Sequence, residues 1–395
     1  MWSPHADTDM DVERTSPVSQ LGERGQDEAL AHQIRLHVNV QIAATATMAN
    51  LVLEVSPVRE FIKLLTERGV MGILCEHAHS DNPSLRFNAL WALKHFVDAV
   101  GPELKKACLE ELEPGWLVQL IRDDAQDAAL FSDRARETPA EDMDEDVDLP
   151  SPDEKHRWRY GINGDIRELD ASCSTRMRQA EDKLLAIREM ELNPIRKARN
   201  DEVAIQEQGL DFIRNLIGRP GSGMSDMANE TTEMIDYLFS ELGQDQLFDT
   251  LASKLRPKYL HPFSRRVPVA GREARIIHPQ AQIIVPVIYI LVHMAASDPR
   301  HRQLVIAQTE LLKLIVQHAG KDREVRVALC HLVTNLTIHD EGGELEGCRQ
   351  RALELKKLGF RNKLDALKQD DRDLDVRERA KLALFQMDEA SAFPY

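Results

Sequence analysis

The 395-residue sequence has few of the features that identify an enzyme or a membrane protein. It contains no Walker loop, GxGxxG, HExxH or G-x-S-x-G motif, so the common nucleotide, protease and hydrolase sites lack their residues. Five cysteines form no CxxC pair, which excludes a RING-like zinc module and indicates reduced thiols. The longest apolar run, at 283–292, is too short to span a bilayer and favours a buried helix.

Acidic residues outnumber basic ones, with 66 Asp and Glu against 50 Lys and Arg. The formal net charge is −16 and the sequence pI about 5.4, which makes nucleic acid and anionic membranes poor partners. The first residues have neither a basic flank nor an apolar run, so no signal peptide is predicted and we expect a cytoplasmic or nuclear protein.

The stretch CEHAH holds Cys75, His77 and His79, but residues two apart on a helix face different ways. We interpret it as a surface turn, and expect neither metal nor cofactor.

What the sequence does contain is a repeated helical period. In NPSLRFNALWALKHFVDAV, at 82–100, the apolar residues fall on one helical stripe behind an Asn-Pro start. A similar helix lies 43 residues earlier, and further copies follow after interruptions. No long alternating pattern indicates a sheet. A helical period in the low forties matches α-solenoids of the armadillo or HEAT kind, so we predict an all-α solenoid, a right-handed superhelix with disordered insertions.

Composition divides the chain into six predicted segments. The helical period marks repeats, polar or acidic composition marks disorder, and clustered prolines and arginines mark a long loop. The predicted order is a disordered tail at 1–25, armadillo repeats at 26–122, an acidic disordered insertion at 123–173, a helical repeat at 174–255, a Pro/Arg-rich loop at 256–280 and C-terminal armadillo repeats at 281–389.

One hydrogen-bonding side chain recurs at the same position in the last helix of each repeat. Aligned by their apolar faces, six helices place there Asn50, His95, Asn215, His293, Asn335 and Gln386. One turn earlier, on the same face, they place Ala46, Trp91, Asp211, Tyr289, His331 and Leu382. Equivalent helices of a solenoid stack along its inner surface, which makes these residues a candidate partner-binding groove.

Two interpretations of this ladder stay open. Taken singly, each polar residue could bond a neighbouring repeat, with Trp91 and Tyr289 as ordinary packing. Taken together, the recurrence of one polar class favours a groove in which amides pair with the backbone of an extended peptide. Lys94 and Arg214 flank the ladder, which predicts a locally basic groove suited to an acidic segment or a chain-terminal carboxylate.

Several stretches carry a family resemblance. NALWALKHF and LVTNLTI resemble the third helix of armadillo repeats, whose Trp and Asn residues line the concave groove. With VTNLTIHDEGGELEGCRQRALELKKLGFRNKLDAL and DVRERAKLALFQM, the chain is similar to the C-terminal half of the armadillo scaffold subunit of the GID/CTLH ubiquitin-ligase complex, over about 39–122 and 200–388. It departs from that family in having His at 95 and 293 and in lacking the N-terminal repeats, so we interpret it as a fragment, an isoform or a mispredicted gene.

The resemblance implies a non-catalytic scaffold. Such a scaffold docks an interchangeable substrate receptor onto the ligase core, so that substrates carrying degrons are ubiquitinated. The receptor's C-terminal segment is expected in the groove near the C-terminal repeats. Carried over by position, this implicates Asn215, His293 and Asn335 first, with Trp91 and His95 behind them.

A nuclear-import cargo adaptor is the alternative, because such adaptors also use Trp/Asn ladders. They usually carry a basic N-terminal arm and an acidic groove, whereas residues 1–25 contain only Arg14 and Arg24 as bases. An enzyme, the third class, is disfavoured by the missing motifs.

Overall fold

A computed structural model describes residues 17–55, 64–124, 194–218, 227–259, 276–320, 322–338 and 344–392. Nearly all of the predicted acidic insertion therefore lies outside the described residues, as do 260–275 of the predicted Pro/Arg-rich loop. The described parts are helical, apart from a short antiparallel ribbon between β1 (Lys258–Tyr259) and β2 (Ile276–Ile277). In this ribbon Lys258 lies opposite Ile277 and Tyr259 opposite Ile276.

The described residues form fifteen helices. In chain order they are α1 (Pro17–Val55), α2 (Val70–Ala78), α3 (Pro83–Ala99), α4 (Pro102–Glu111), α5 (Pro114–Arg122), α6 (Pro194–Ile217), α7 (Met227–Leu242), α8 (Gln244–Leu255), α9 (Ala281–Ala296), α10 (Pro299–Ala307), α11 (Thr309–His318), α12 (Arg323–Leu336), α13 (Leu345–Lys357), α14 (Phe360–Asp370) and α15 (Leu374–Ala392).

Six of these helices stack side by side. Each packs on the next in the order α1, α3, α6, α9, α12, α15, and we call them the groove helices. Two shorter helices precede each of the groove helices α6, α9, α12 and α15. The second helix of each of the first three of these pairs packs on the next in the order α5, α8, α11. This three-helix unit is the armadillo repeat, so the predicted armadillo-type α-solenoid is confirmed.

Helix α3 shows how the sequence builds a groove helix. The side chain of Asn82 accepts hydrogen bonds from the backbone N–H groups of Ser84 and Leu85, and Pro83 occupies the first turn. The predicted apolar stripe is buried, and the helix ends before Gly101 and Pro102. The predicted start, buried face and end of this helix are confirmed. The apolar run at 283–292 is likewise confirmed as part of a buried helix, α9.

Other boundaries differ from the sequence-based expectation. Helix α1 begins at Pro17, inside the segment predicted as a tail of residues 1–25. Cys75 and His77 lie within α2 rather than in a turn, because Leu74, Cys75 and Ala78 supply a buried helical face. Helix α8 ends at Leu255, just before the predicted loop of 256–280, and α9 begins at Ala281, just after it. No helix in the described part of the chain is long and apolar enough to cross a membrane.

Candidate partner-binding groove

The six predicted ladder residues lie one on each groove helix. Two of them, Asn215 on α6 and Asn335 on α12, make equivalent contacts. The Asn215 Nδ2 donates to the backbone carbonyl of Lys94 at 2.9 Å, and the Asn335 Nδ2 donates to that of Val292 at 3.0 Å. In both cases the acceptor immediately precedes the ladder residue of the previous groove helix. These amide nitrogens therefore bond between repeats, as the packing interpretation expects, while no described residue donates to either side-chain oxygen.

Helix α3 contributes an aromatic edge to the groove. The Trp91 Nε1–H donates to the Nε2 of His95 at 2.8 Å, and the Phe87 ring meets Trp91 edge-on at 5.7 Å. Burial, followed by the charge of Lys94, lowers the pKa of His95 to about 4, so the imidazole is neutral and accepts this bond. The Trp91 N–H and the His95 Nε2 thus satisfy each other's hydrogen-bonding capacity, and the Trp91 ring is partly buried against the hydrophobic core. Phe87 was missed by the ladder alignment, although it lies one turn before Trp91.

Charges from α3 and α6 meet at one carboxylate. The Lys94 Nζ lies 3.0 Å from Asp211 Oδ2, and an Arg214 guanidinium nitrogen lies 3.1 Å from Asp211 Oδ1. The Asp211 side chain is only 14% exposed, so this is a well-defined, partly dehydrated pair. The predicted basic groove therefore carries a net charge of only +1 over these three side chains, because two bases share one acid.

The same line of contacts continues through the C-terminal repeats. The Arg214 guanidinium lies 5.4 Å from the ring centroid of Tyr289 on α9, a cation–π distance. The Tyr289 and His331 ring centroids are 6.3 Å apart, and Arg379 on α15 donates to the Nε2 of His331 at 2.8 Å. We call this line the cross-groove row; it crosses five groove helices and consists of Lys94, Asp211, Arg214, Tyr289, His331 and Arg379.

Partial burial sets the protonation of the groups in and beside the row. Burial and the neighbouring Asp211 raise the pKa of Glu207, one turn before Asp211, to about 7. Burial also raises the pKa of the Tyr289 hydroxyl. Burial and the Arg379 guanidinium lower the pKa of His331, which matches its role as a hydrogen-bond acceptor. The row therefore presents a neutral imidazole and a neutral phenol between charged pairs.

Three of the remaining predicted residues lie on α1 and α15, at the ends of the described array, and His293 lies on α9 within it. Asn50 is exposed on α1, and His293 is half-buried on α9. On α15 the Gln386 Oε1 is buried with no hydrogen-bond donor among the described residues, while Leu382 is 51% exposed. Arg379 was missed because it occupies neither aligned position and reaches His331 through its long side chain.

The CEHAH stretch makes structural contacts. His77 Nδ1 lies 3.0 Å from the Thr45 hydroxyl, and His79 stacks on Trp116 at 4.1 Å. Cys75 is buried among apolar side chains. Across the ranges described, no group of three His, Cys, Asp or Glu side chains is arranged to hold a metal ion.

Comparisons with known proteins give partial matches. No protein-family model matches the chain. Armadillo repeat-containing protein 8 of Xenopus laevis is 35% identical over 85 residues, 22% of this chain and 11% of that protein. The Danio rerio protein of the same name is 31% identical over 107 residues, 27% of this chain and 14% of that protein. The matches thus span about an eighth of these relatives' length.

One solved structure supports the solenoid fold, and a second aligns less closely. An engineered protein superposes with a TM-score of 0.51 at 13% identity, over 89% of this chain and 93% of the other. A designed armadillo repeat protein aligns with a TM-score of 0.47 at 13% identity, over 88% and 92% of the two chains. The chain is an armadillo-type repeat solenoid that is similar in sequence to armadillo repeat-containing protein 8.

Proposed function

We propose that this protein is a non-catalytic scaffold that holds an extended segment of a partner protein along the cross-groove row. The observation that carries the proposal is the continuity of that row. Side chains from five successive groove helices form one line of aromatic, cationic and carboxylate groups. Aromatic and arginine side chains are the residues that most often dominate protein interfaces.

The partner that this surface suits best carries a carboxylate. Arg214 uses one guanidinium nitrogen for Asp211, and its side chain remains 34% exposed. The other nitrogens can pair with an incoming carboxylate while the guanidinium stays over Tyr289. The side-chain oxygens of Asn215 and Asn335 are placed to accept from backbone N–H groups of an extended peptide. The C-terminal segment of a protein offers both a carboxylate for Arg214 and backbone N–H groups for the two asparagine oxygens.

The finer proposal is that the partner is the substrate receptor of a GID/CTLH-type ubiquitin ligase, bound through its C-terminal segment. Two lines of support are the similarity to armadillo repeat-containing protein 8 and the family resemblance of the third-helix motifs. In this role the chain would link the receptor to the ligase core and support ubiquitin-dependent degradation, in the cytoplasm or nucleus. The chain's strong negative charge argues against nucleic acid as a partner.

Affinity purification from cells that express the tagged full chain tests this proposal. We expect RING-type ligase subunits and a receptor subunit to copurify and to be identified by mass spectrometry. Copurification of importin-beta-like carriers instead would establish the nuclear-import alternative. Recovery of neither group by a folded, expressed chain would contradict the ligase role.

A further inference from the structure

A second concave site lies where α6, α8 and α9 meet the β-ribbon. It is a cleft of about 450 Å³, including the space that is open to solvent. Its lining comes from the first half of α6, the end of α8, both strands and the start of α9. The cross-groove row instead uses residues 211 and 214 of α6, so the two sites are formed by different residues.

The cleft is positively charged in an acidic protein. Four basic side chains line it, Arg199, Lys254, Arg256 and Lys258, against two carboxylates, Asp124 and Glu202. The formal net charge of the lining is therefore +2, with His278 taken as neutral. The whole chain carries −16, so this local concentration of positive charge is not a consequence of overall composition.

Lys254 is the buried centre of this charge. Its side chain is 4% exposed, and its ammonium donates to Asp124 Oδ1 at 2.7 Å and to Gln206 Oε1 at 3.1 Å. The same Asp124 oxygen also lies 2.7 Å from the Lys258 ammonium. Burial lowers the pKa of Lys254, and Lys258 adds to that effect against the opposing influence of Asp124. Asp124 thus lies between two lysine ammonium groups at the centre of the cleft.

The start of α9 adds to the positive potential. Gln280, the N-cap residue of this 16-residue helix, lines the cleft and makes no side-chain capping hydrogen bond. The first N–H groups of α9 and the positive end of its dipole therefore lie at the edge of the cleft. This orientation reinforces the charge of the four basic side chains.

We infer that this cleft binds a phosphoryl group, carried by a phosphorylated side chain or present as free phosphate. A phosphate monoester carries a charge of roughly −1.5 to −2 near pH 7, which matches the +2 of the lining better than a single carboxylate does. Arginine and lysine side chains line the cleft, and these are the groups that recognise phosphate oxygens.

Titration calorimetry on the full chain tests the inference, with two probes that separate the sources. One probe is inorganic phosphate; the other is acetyl-phosphoserine-amide, with acetyl-serine-amide as its unphosphorylated match. The test variant is Arg256→Ala/Lys258→Ala, since Arg256 is exposed and the Lys258 side chain is 32% exposed, so both tolerate truncation. Lys313→Ala removes an exposed lysine on α11, outside the cleft, and is the matched control.

We expect saturable binding of at least one phosphorylated probe, no binding of the serine probe, and an affinity that falls about tenfold or more in the double variant. Tighter binding of the phosphoserine probe would identify a phosphorylated protein segment as the source. Equal or tighter binding of inorganic phosphate would identify the free ion. The inference is overturned if neither probe binds at millimolar concentration. It is also overturned if the double variant, shown to be folded by circular dichroism, binds as the Lys313 variant does.

Discussion

The indole N–H of Trp91 donates to the Nε2 of His95 at 2.8 Å, one turn further along α3. This bond requires an imidazole that is unprotonated at Nε2. Burial, Lys94 and Arg214 favour that state and outweigh Asp211. The protein itself thus fixes the relative positions of the Trp91 and His95 rings.

His95 should make folding sensitive to acid. Its pKa is about 4 in the folded protein against the usual 6.5 of a histidine, so the unfolded chain binds a proton first as pH falls. Its contribution to stability is therefore fully present above pH 6.5 and is lost as pH falls from 6.5 towards 4. We expect the free energy of unfolding of His95→Gln to decline less steeply over that window than that of the wild type, measured by urea denaturation. Parallel declines would mean that His95 is not held neutral.

Ionisation of Glu207 should lower the free energy of unfolding as pH rises. The pKa of Glu207 is about 7 in the folded protein against the usual 4.5 of a glutamate, so the folded state binds this proton more tightly than the unfolded chain does. Stability is lost as pH rises from 4.5 through 7, because the carboxylate must then ionise in a largely buried position and beside Asp211. Glu207→Gln should be more stable than the wild type by roughly 2 kcal/mol at pH 8, and equal to it near pH 4. A pH-independent difference would contradict this account.

Asn335 should contribute to stability as well as to binding. Its side-chain amide on α12 donates to the Val292 carbonyl on the neighbouring groove helix α9. Asn335→Ala should therefore cost about 1 kcal/mol of unfolding free energy. Asn50→Ala, at the equivalent ladder position but exposed, is the control and should cost less than about 0.5 kcal/mol. Equal losses for the two variants would argue against an inter-repeat role for the ladder amides.

A buried ionic cluster at the last repeats makes a stronger prediction. Glu344 bridges Arg302 and Arg351, whose side chains are 2% and 1% exposed. Glu344→Gln would leave two buried guanidinium groups without their carboxylate, at a cost of about 3 kcal/mol or more. Glu346→Gln, which removes a 57%-exposed carboxylate two residues on, should change stability by less than about 0.5 kcal/mol. Thermal and urea unfolding would separate the two variants; similar stabilities would show that the cluster is hydrated.

Local patterns predicted the groove helices well, since the information needed lies within each helix. The Asn82 cap and the buried stripe from Leu85 to Phe96 depend only on neighbouring residues. The facing positions of Trp91 and His95 follow from the same helical spacing, four residues apart. The hydrogen bond between them could have been inferred from this spacing.

The charge of the groove could not be inferred in this way. Lys94 and Asp211 are 117 residues apart, and they meet because α6 stacks directly on α3 although a long insertion separates them in sequence. Arg379 reaches His331 from a position outside the aligned ladder. Such pairs depend on which helices become neighbours and on how far a long side chain extends. Sequence periodicity fixes neither quantity.

Receptor recovery by groove variants tests the central claim most directly. Arg214→Glu/Tyr289→Ala should copurify several-fold less receptor than the wild type, because it reverses a charge and removes an aromatic ring of the cross-groove row. Recovery of ligase core subunits should be unchanged, and Lys313→Glu, on the exposed face of α11, should match the wild type for both. Undiminished receptor recovery by the folded double variant would show that the row is not the binding surface.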